Sequence, residues 1–240
     1  MPTAVVVDGA YFLRRFNGVF NGLSDSDPHH VVAGLMWLVA NQIAYRDKSI
    51  QLGSVFDPKL NRLDLAWVDS QMLYRIFFYD CPPLMKKTHR PISKTAFDLS
   101  KSDTAIARLA LHTEIQKIRK IALRLGRLNE GFDWRPKPEA VSRWIADSNN
   151  FQPTDDDFTI NTTQKGVDMR LGLDVASMAF KRQVDQIVLV AGDGDFVPAV
   201  KLARREGIDV VLVPMGGPAA KDLVAHVDGV RDFTPNQVVM

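Results

Sequence analysis

One cysteine, Cys81, stands in a chain of 240 residues. A single thiol cannot build an internal disulfide framework, and it excludes a cysteine-rich zinc site. The five histidines offer no substitute ligand set: His29 and His30 share a loop-like stretch, while His89, His112 and His226 stand apart. No apolar run approaches the roughly 20 residues that cross a bilayer, so no membrane association is expected. The opening stretch from Met1 to Asp8 has no basic region and meets a charge too early for a secretory leader. With so little cysteine, the expectation is a cytoplasmic protein. Nucleotide fingerprints fail as well. Gly192-Asp193-Gly194 lacks the third glycine of the dinucleotide motif, and no Walker-type lysine loop is present.

What is present reads as an ordinary globular composition, 46% hydrophobic and 24% charged. The net charge of +2 conceals an asymmetry. Residues 86–143 carry fourteen Lys and Arg against six Asp and Glu, so the rest of the chain is acidic. A basic segment beside acidic turns suits an enzyme that binds a polyanion and needs metal at its reaction centre. A solvated mixed-charge face is the plainer reading of the same pattern.

Acidic turns at strand ends are the most informative local signal. Ile187-Val188-Leu189-Val190 runs into Asp193-Gly194-Asp195 and then an amphipathic segment from Phe196 to Arg205. Val5-Val6-Val7 runs into Asp8-Gly9 in the same manner. Strands are also expected at Gln51–Phe56, Leu73–Asp80, Leu123–Leu128, Phe158–Ile160 and Asp209–Val213. Helices are expected from Val31 to Ala44, Thr104 to about Lys120, Leu171 to Phe180 and Val197 to Arg205. The stretch from Phe132 to Pro153 reads as irregular. Alternation of strand and helix after residue 158 predicts βαβ units with a mainly parallel sheet. We expect one domain over residues 1–240, with residues of about 84–153 as an elaboration. The C-terminal Val238-Val239-Met240 either packs on a partner or frays, and homo-oligomer formation is admitted.

Parallel strands deliver their C-terminal turns to one crevice, so Asp8, Asp193 and Asp195 are candidates to hold a divalent ion through hard oxygen ligands. Each has a structural alternative, because aspartate caps helices and Asp195 is placed to cap the helix whose first turn contains Pro198. Asp168 adjoins the start of a helix, where its charge also suits the helix dipole. Asp174 lies among Leu171, Leu173, Val175 and Met178, and an acid on an apolar face needs a partner. A shared cation or a salt bridge to Lys165 or Arg170 would supply one. Lys165 itself is a candidate phosphate contact, against the default of a surface lysine.

Three elements in this order resemble the NYN domain family of PIN-like ribonucleases, and its bacterial LabA-like branch in particular. They are Val7-Asp8-Gly9, Gln164-Lys165-Gly166-Val167-Asp168 with Asp174 downstream, and Val190-Ala191-Gly192-Asp193-Gly194-Asp195-Phe196-Val197-Pro198. Tyr11 and Ala191 depart from the asparagine and serine common in that family. The resemblance implies a Rossmann-like, three-layer α/β/α PIN-type fold. It also implies RNA endonuclease activity dependent on Mg²⁺ or Mn²⁺. Asp8, Asp168, Asp193 and Asp195 would hold the metal, with Asp174 and Lys165 completing the catalytic set. Lys86, Lys87, Arg90 and Lys94 would track the backbone of RNA, expected to be single-stranded, and Tyr11 or Trp134 would stack on bases. A non-catalytic RNA-binding scaffold and a metal-dependent phosphohydrolase of small esters are the competing readings.

Overall fold

The computed structural model describes residues 1–52, 55–57, 62–129, 131–162 and 164–233. Strand β1 (Thr3–Asp8) leads into helices α1 (Gly9–Val19) and α2 (Pro28–Ala44). Short β2 (Phe56–Asp57) pairs antiparallel with β3 (Arg62–Leu63), and β4 (Leu73–Asp80) follows. The basic stretch contributes β5 (Lys87–His89), β6 (Ala96–Asp98), α3 (Asp103–Gln116), β7 (Ile121–Leu125), β8 (Arg127–Leu128), β9 (Asp133–Pro136) and α4 (Pro138–Ala146). Then come β10 (Phe158–Asn161), β11 (Gln164–Lys165), α5 (Val167–Phe180), β12 (Gln186–Val190) and α6 (Val197–Arg205). The order closes with β13 (Asp209–Leu212), α7 (Lys221–His226) and β14 (Gly229–Val230). No helix among the described residues is long and apolar enough to cross a membrane.

Six strands form one parallel sheet in the order β14-β13-β12-β1-β4-β7. Strands buried on both faces read as continuous apolar runs, which is why Ala4-Val5-Val6-Val7 and Ile187-Val188-Leu189-Val190 are legible as strands. Side chains alternate between the two faces. Val5, Val7, Ile76, Phe78, Val188 and Val190 join the core beneath α1, α2 and α3. Ala4, Val6, Phe77, Tyr79, Ile187 and Leu189 join the core beneath α5, α6 and α7. The result is the expected α/β/α arrangement. From β1 the chain builds outward through β4 and β7, then returns to the other side of β1 for β12, β13 and β14. The sheet therefore reverses its winding between β1 and β12, the place where α/β sheets leave a crevice at their C-terminal edge.

Several expectations need correction. Phe158–Ile160 is a strand, but β10 pairs antiparallel with β9 in a separate two-stranded ribbon rather than entering the sheet. The stretch from Phe132 to Pro153 is not irregular, since it contains β9 and α4. Its prolines sit where proline is tolerated, Pro136 at a strand end and Pro138 in the first turn of α4. Leu123–Leu128 is two strands broken at Gly126. There a Cβ would meet Val167 Cγ2 at 2.7 Å and the Lys165 carbonyl at 2.9 Å. Beyond that glycine the chain leaves the sheet to pair β8 with β11. Of the strand expected over Gln51–Phe56, positions 53 and 54 lie outside the described residues, as does the tail Val238-Val239-Met240.

Gly9 is a tight joint between sheet and helix. A Cβ at this position would stand 2.6 Å from the Tyr79 carbonyl oxygen and 2.7 Å from the Phe78 ring. Helix propensity alone favours alanine at an α1 position, but the backbone oxygen of β4 cannot move without disturbing the sheet. Gly9→Ala is therefore expected to destabilise the fold by about 1–3 kcal/mol, measured by equilibrium denaturant unfolding. A neutral or stabilising result would mean that α1 shifts freely on the sheet.

Candidate active site

The register of the sheet sets the site. Val7 pairs with Val190 across β1 and β12, and Asp8 pairs with Tyr79 across β1 and β4. Asp8 and the turn after β12 thus leave the same edge. Asp8 caps α1, its Oδ1 accepting from the Tyr11 N–H at 3.1 Å. Asp193 caps the short turn Gly194–Phe196, its Oδ1 accepting from the Asp195 N–H at 3.1 Å. Asp195 is not the cap of α6, whose N-cap residue is Phe196 and makes no side-chain capping bond. Asp8 and Asp193 each have one oxygen engaged by the backbone, which fixes the carboxylate's direction and leaves further acceptor capacity.

Asp168 enters from the first turn of α5, where Gly166 turns the chain with φ +80°. Burial raises its carboxyl above the usual range, and the charges of Asp193 and Asp195 raise it further. Burial likewise raises Asp8, opposed by the Tyr11 N–H and Arg14 and reinforced by Asp168. Three segments far apart in sequence therefore bring their negative charges into mutual repulsion. Among the described residues, no three His, Cys, Asp or Glu side chains close into a metal-holding group. The rim is an open one.

Tyr11 does not serve as a base-stacking surface. It is 7% exposed, and its hydroxyl donates to the Pro214 carbonyl at 2.6 Å. Its ring fills the space over Gly192, where a Cβ would meet Tyr11 Cε2 at 2.4 Å, and its hydroxyl lies against Gly217. Tyr11 thereby pins the loops after β12 and β13 to α1.

Asp174 is also placed away from its expected partners. Its Oδ2 accepts from the Tyr79 hydroxyl at 2.8 Å and from Arg124 Nε at 2.9 Å, in place of Lys165 or Arg170. These bonds tie α5 to β4 and β7. Burial and then Asp174 raise the Tyr79 hydroxyl far above its ordinary value, so it stays protonated and donates. Lys165 is exposed on β11 and makes no ion pair among the described residues. Cys81 is buried, and burial together with Asp80 pushes its thiol up to about 11. It is protonated at neutral pH and unsuited to nucleophilic attack.

The basic candidates gather on the β5–β6 hairpin and its turn. Lys87 is exposed on β5. Lys86 lies 5.7 Å over the Phe132 ring, Arg90 lies 4.7 Å over Phe97, and Lys94 Nζ donates to the Pro91 carbonyl at 2.7 Å. A groove of about 400 Å³ runs among Lys86, Arg90, Lys94, Phe132 and Trp134.

Two features escaped the sequence reading. Arg14 lies near Asp8 and lowers its carboxyl. Asp80 ends β4 as Asp8 ends β1, and it is 1% exposed. Arg108 Nη1 donates to both its oxygens at 2.8 and 2.7 Å, and His112 Nε2 lies 2.8 Å from Oδ2. The detectable signal was the same strand-then-aspartate pattern, obscured by the Cys81-Pro82-Pro83 that follows.

Residues 86–234 match the NYN domain. That span includes Asp168, Asp193 and Asp195 but not β1, so Asp8 joins the site through the sheet register. A comparison with curated proteins found no match. Among solved structures, a protein of unknown function from Vibrio parahaemolyticus is similar, with a TM-score of 0.46 and 14% identity over 97% of this chain and 92% of that one.

Asp80 gives this region its pH signature. Burial alone would raise its carboxyl, but the His112 and Arg108 bonds outweigh that and hold it below the ordinary value of 3.8. A depressed folded pKa adds stability above the unfolded value, and that stability is lost as pH falls through the folded one. Asp80→Asn is expected to cost about 3 kcal/mol near neutral pH. The gap from wild type should narrow as pH falls below the carboxylate range. Unfolding measured across pH checks this, and a gap independent of pH would place the loss in packing instead of charge.

Proposed function

Because the chain belongs to the NYN domain family, we propose that it is a metal-dependent ribonuclease, cutting RNA endonucleolytically at the rim formed by Asp8, Asp168, Asp193 and Asp195. The observation that carries this reading is the convergence of acidic turns at one sheet edge. The register of β1 and β12 brings Asp8 beside the Asp193–Asp195 turn. Asp168 at the start of α5 stands close enough for Asp193 and Asp195 to raise its carboxyl and for its own charge to raise Asp8. Repulsion of this kind is unfavourable without a countercharge, and a fold that sustains it is prepared for a cation. The donor set is all oxygen, which suits Mg²⁺ or Mn²⁺ over zinc. Mg²⁺ commonly takes one or two carboxylates and keeps several waters, so an open rim fits it. Bound there, such an ion supplies Lewis acidity and neutralises charge on the phosphodiester.

The chain's own residues do the rest. Asp8 and Asp193 are held by backbone N–H groups, so their free oxygens keep fixed directions. Tyr11 ties the loops after β12 and β13 to α1 behind them. Lys165, exposed three residues before Asp168, is suited to meet the phosphate. The hairpin cations Lys86, Lys87, Arg90 and Lys94 give the strand an electrostatic track, which favours single-stranded RNA. Asp174 acts at a distance by seating α5 through Tyr79 and Arg124. We read residues of about 84–153 as an elaboration of one domain, supported by Arg108 and His112 of α3 reaching the end of β4. The open rim also favours a second reading, an RNA-binding scaffold without turnover.

Cleavage of a labelled single-stranded RNA with Mg²⁺, Mn²⁺ or chelator separates the two. Wild type should cut only with metal, and Asp193→Asn should lose at least about a hundredfold in rate. The variant should unfold at the same or a higher temperature than wild type in chelator, since asparagine still caps the turn and one repelling charge is gone. RNA binding without cutting in either metal would select the scaffold. Full activity in a destabilised Asp193→Asn would reduce Asp193 to a cap.

A further inference from the structure

Beside the acidic rim, the same sheet edge opens into a second space. A cavity of about 490 Å³ lies beyond the C-terminal end of β4, a size typical of sites for small organic groups. Its walls come from the sheet end at Asp80 and Cys81, the start of α3, the β5–β6 hairpin and the β9–β10 ribbon. The two hairpins are fixed to each other, because the Asp155 carboxylate accepts from the Ile92 and Ser93 N–H groups at 2.9 and 3.2 Å. Arg90, Pro91 and Trp134 line both this cavity and the basic groove of about 400 Å³. The two spaces share a wall. At its other end the cavity reaches Gln164, the neighbour of Lys165.

The chemistry of the lining is specific. Trp134 donates its indole N–H to the His89 carbonyl at 3.1 Å and meets the Phe132 ring edge to face at 6.5 Å, which fixes the indole where it lines the cavity. Phe97 and Phe158 add further aromatic surface, with the Arg90 guanidinium stacked on Phe97. Lys137, Asp155 and Asp156 line the cavity as well, and Arg108 stands against the apolar faces. Arg108 uses Nη1 for Asp80, while its Nε and Nη2 make no hydrogen bond to the described residues. Gln164, an exposed amide, is a second donor and acceptor at the cavity edge. Flat aromatic faces, directed in-plane donors and an adjoining cationic groove match an unpaired nucleobase whose phosphates stay outside.

We propose that this cavity receives one unpaired base of the RNA strand, stacked on Trp134 and met at its edge by Arg108 and Gln164, and so gives the protein a base preference. The inference takes its ligand class from the ribonuclease reading, but its location and chemistry are independent of catalysis. A strand laid along the basic groove turns one base past Trp134 into the cavity, and its backbone then continues by Lys165 to the acidic rim.

The test is equilibrium binding in chelator, with Asp193→Asn as the parent, of labelled octaribonucleotides of adenine, cytosine or uracil. One of the three should bind the parent at least about tenfold more tightly than another. Adding Trp134→Ala or, separately, Gln164→Ala should erase most of that preference. Trp144→Ala, which removes an exposed tryptophan elsewhere on α4, should leave it unchanged. Gln164→Ala alters an exposed side chain and decides the matter if Trp134→Ala fails to fold. Equal binding of all three oligomers, or a preference that survives both cavity variants, would overturn the proposal. Cleavage is scored separately. Base-selective binding without cutting would leave the cavity standing and remove the nuclease, and metal-dependent cutting without base preference would do the reverse.

Discussion

The parallel backbone ladder that holds β1 between β12 and β4 is the constraint on which the rest depends. Parallel pairing makes the strands end on one edge, and the pairing of Val7 with Val190 and of Asp8 with Tyr79 aligns those ends closely. The fully buried valines of β1 drive the strand into the centre of the sheet. A slip of one residue would exchange its two faces and bury Asp8 or expose Val7. The hydrophobic pattern thus specifies the position of a carboxylate as firmly as it specifies the core. Helix α1 then departs to one side and the turn after β12 to the other, which leaves the crevice between them.

Convergent carboxylates oppose folding, so the structure has to hold them there. Much of that restraint comes from close approaches that only glycine permits. Gly9 lets α1 lie on the Tyr79 carbonyl, and Gly192 accepts the Tyr11 ring. The Tyr11 hydroxyl then reaches Pro214, so one side chain spans the start of α1 and the loops after two strands. The rim is built on backbone bonds and packed rings instead of on the partners that would neutralise it.

The strands and the acidic turns were readable because each follows from a local pattern. Doubly buried strands produce unbroken runs of β-branched residues, and an aspartate followed by glycine marks their ends. What escaped were side-chain contacts whose partners lie far along the chain. Tyr11 looks like an exposed aromatic on a helix until Pro214 and Gly192 close over it. Asp174 looks like an acid in need of a cation until Arg124 and Tyr79 are brought to it by the sheet. The prolines near residues 136 and 138 suggest a loop, yet one ends a strand and the other starts a helix, positions that no spacing rule distinguishes. The β9–β10 ribbon follows from pairing between segments more than twenty residues apart, and a three-residue apolar run does not announce its partner.

Two aspartates end neighbouring strands at the same edge, and their fates differ. Asp80 at the end of β4 receives Arg108 and His112, and its carboxyl is held low. Asp8 at the end of β1 has the backbone N–H groups of Ala10 and Tyr11 and the charge of Arg14, and its carboxyl is nonetheless raised by burial and by Asp168. A carboxylate already neutralised by protein cations has little to offer a metal ion, whereas one surrounded by like charge gains most from it. The same sheet edge is therefore divided. Its β1–β12 side keeps carboxylates in mutual repulsion, and its β4–β7 side spends its charge internally and presents aromatic faces and a guanidinium. α3 is the element that makes this division, since it supplies both Arg108 and His112. The basic segment that looked in the sequence like a simple electrostatic patch thus also determines which of two similar aspartates remains available.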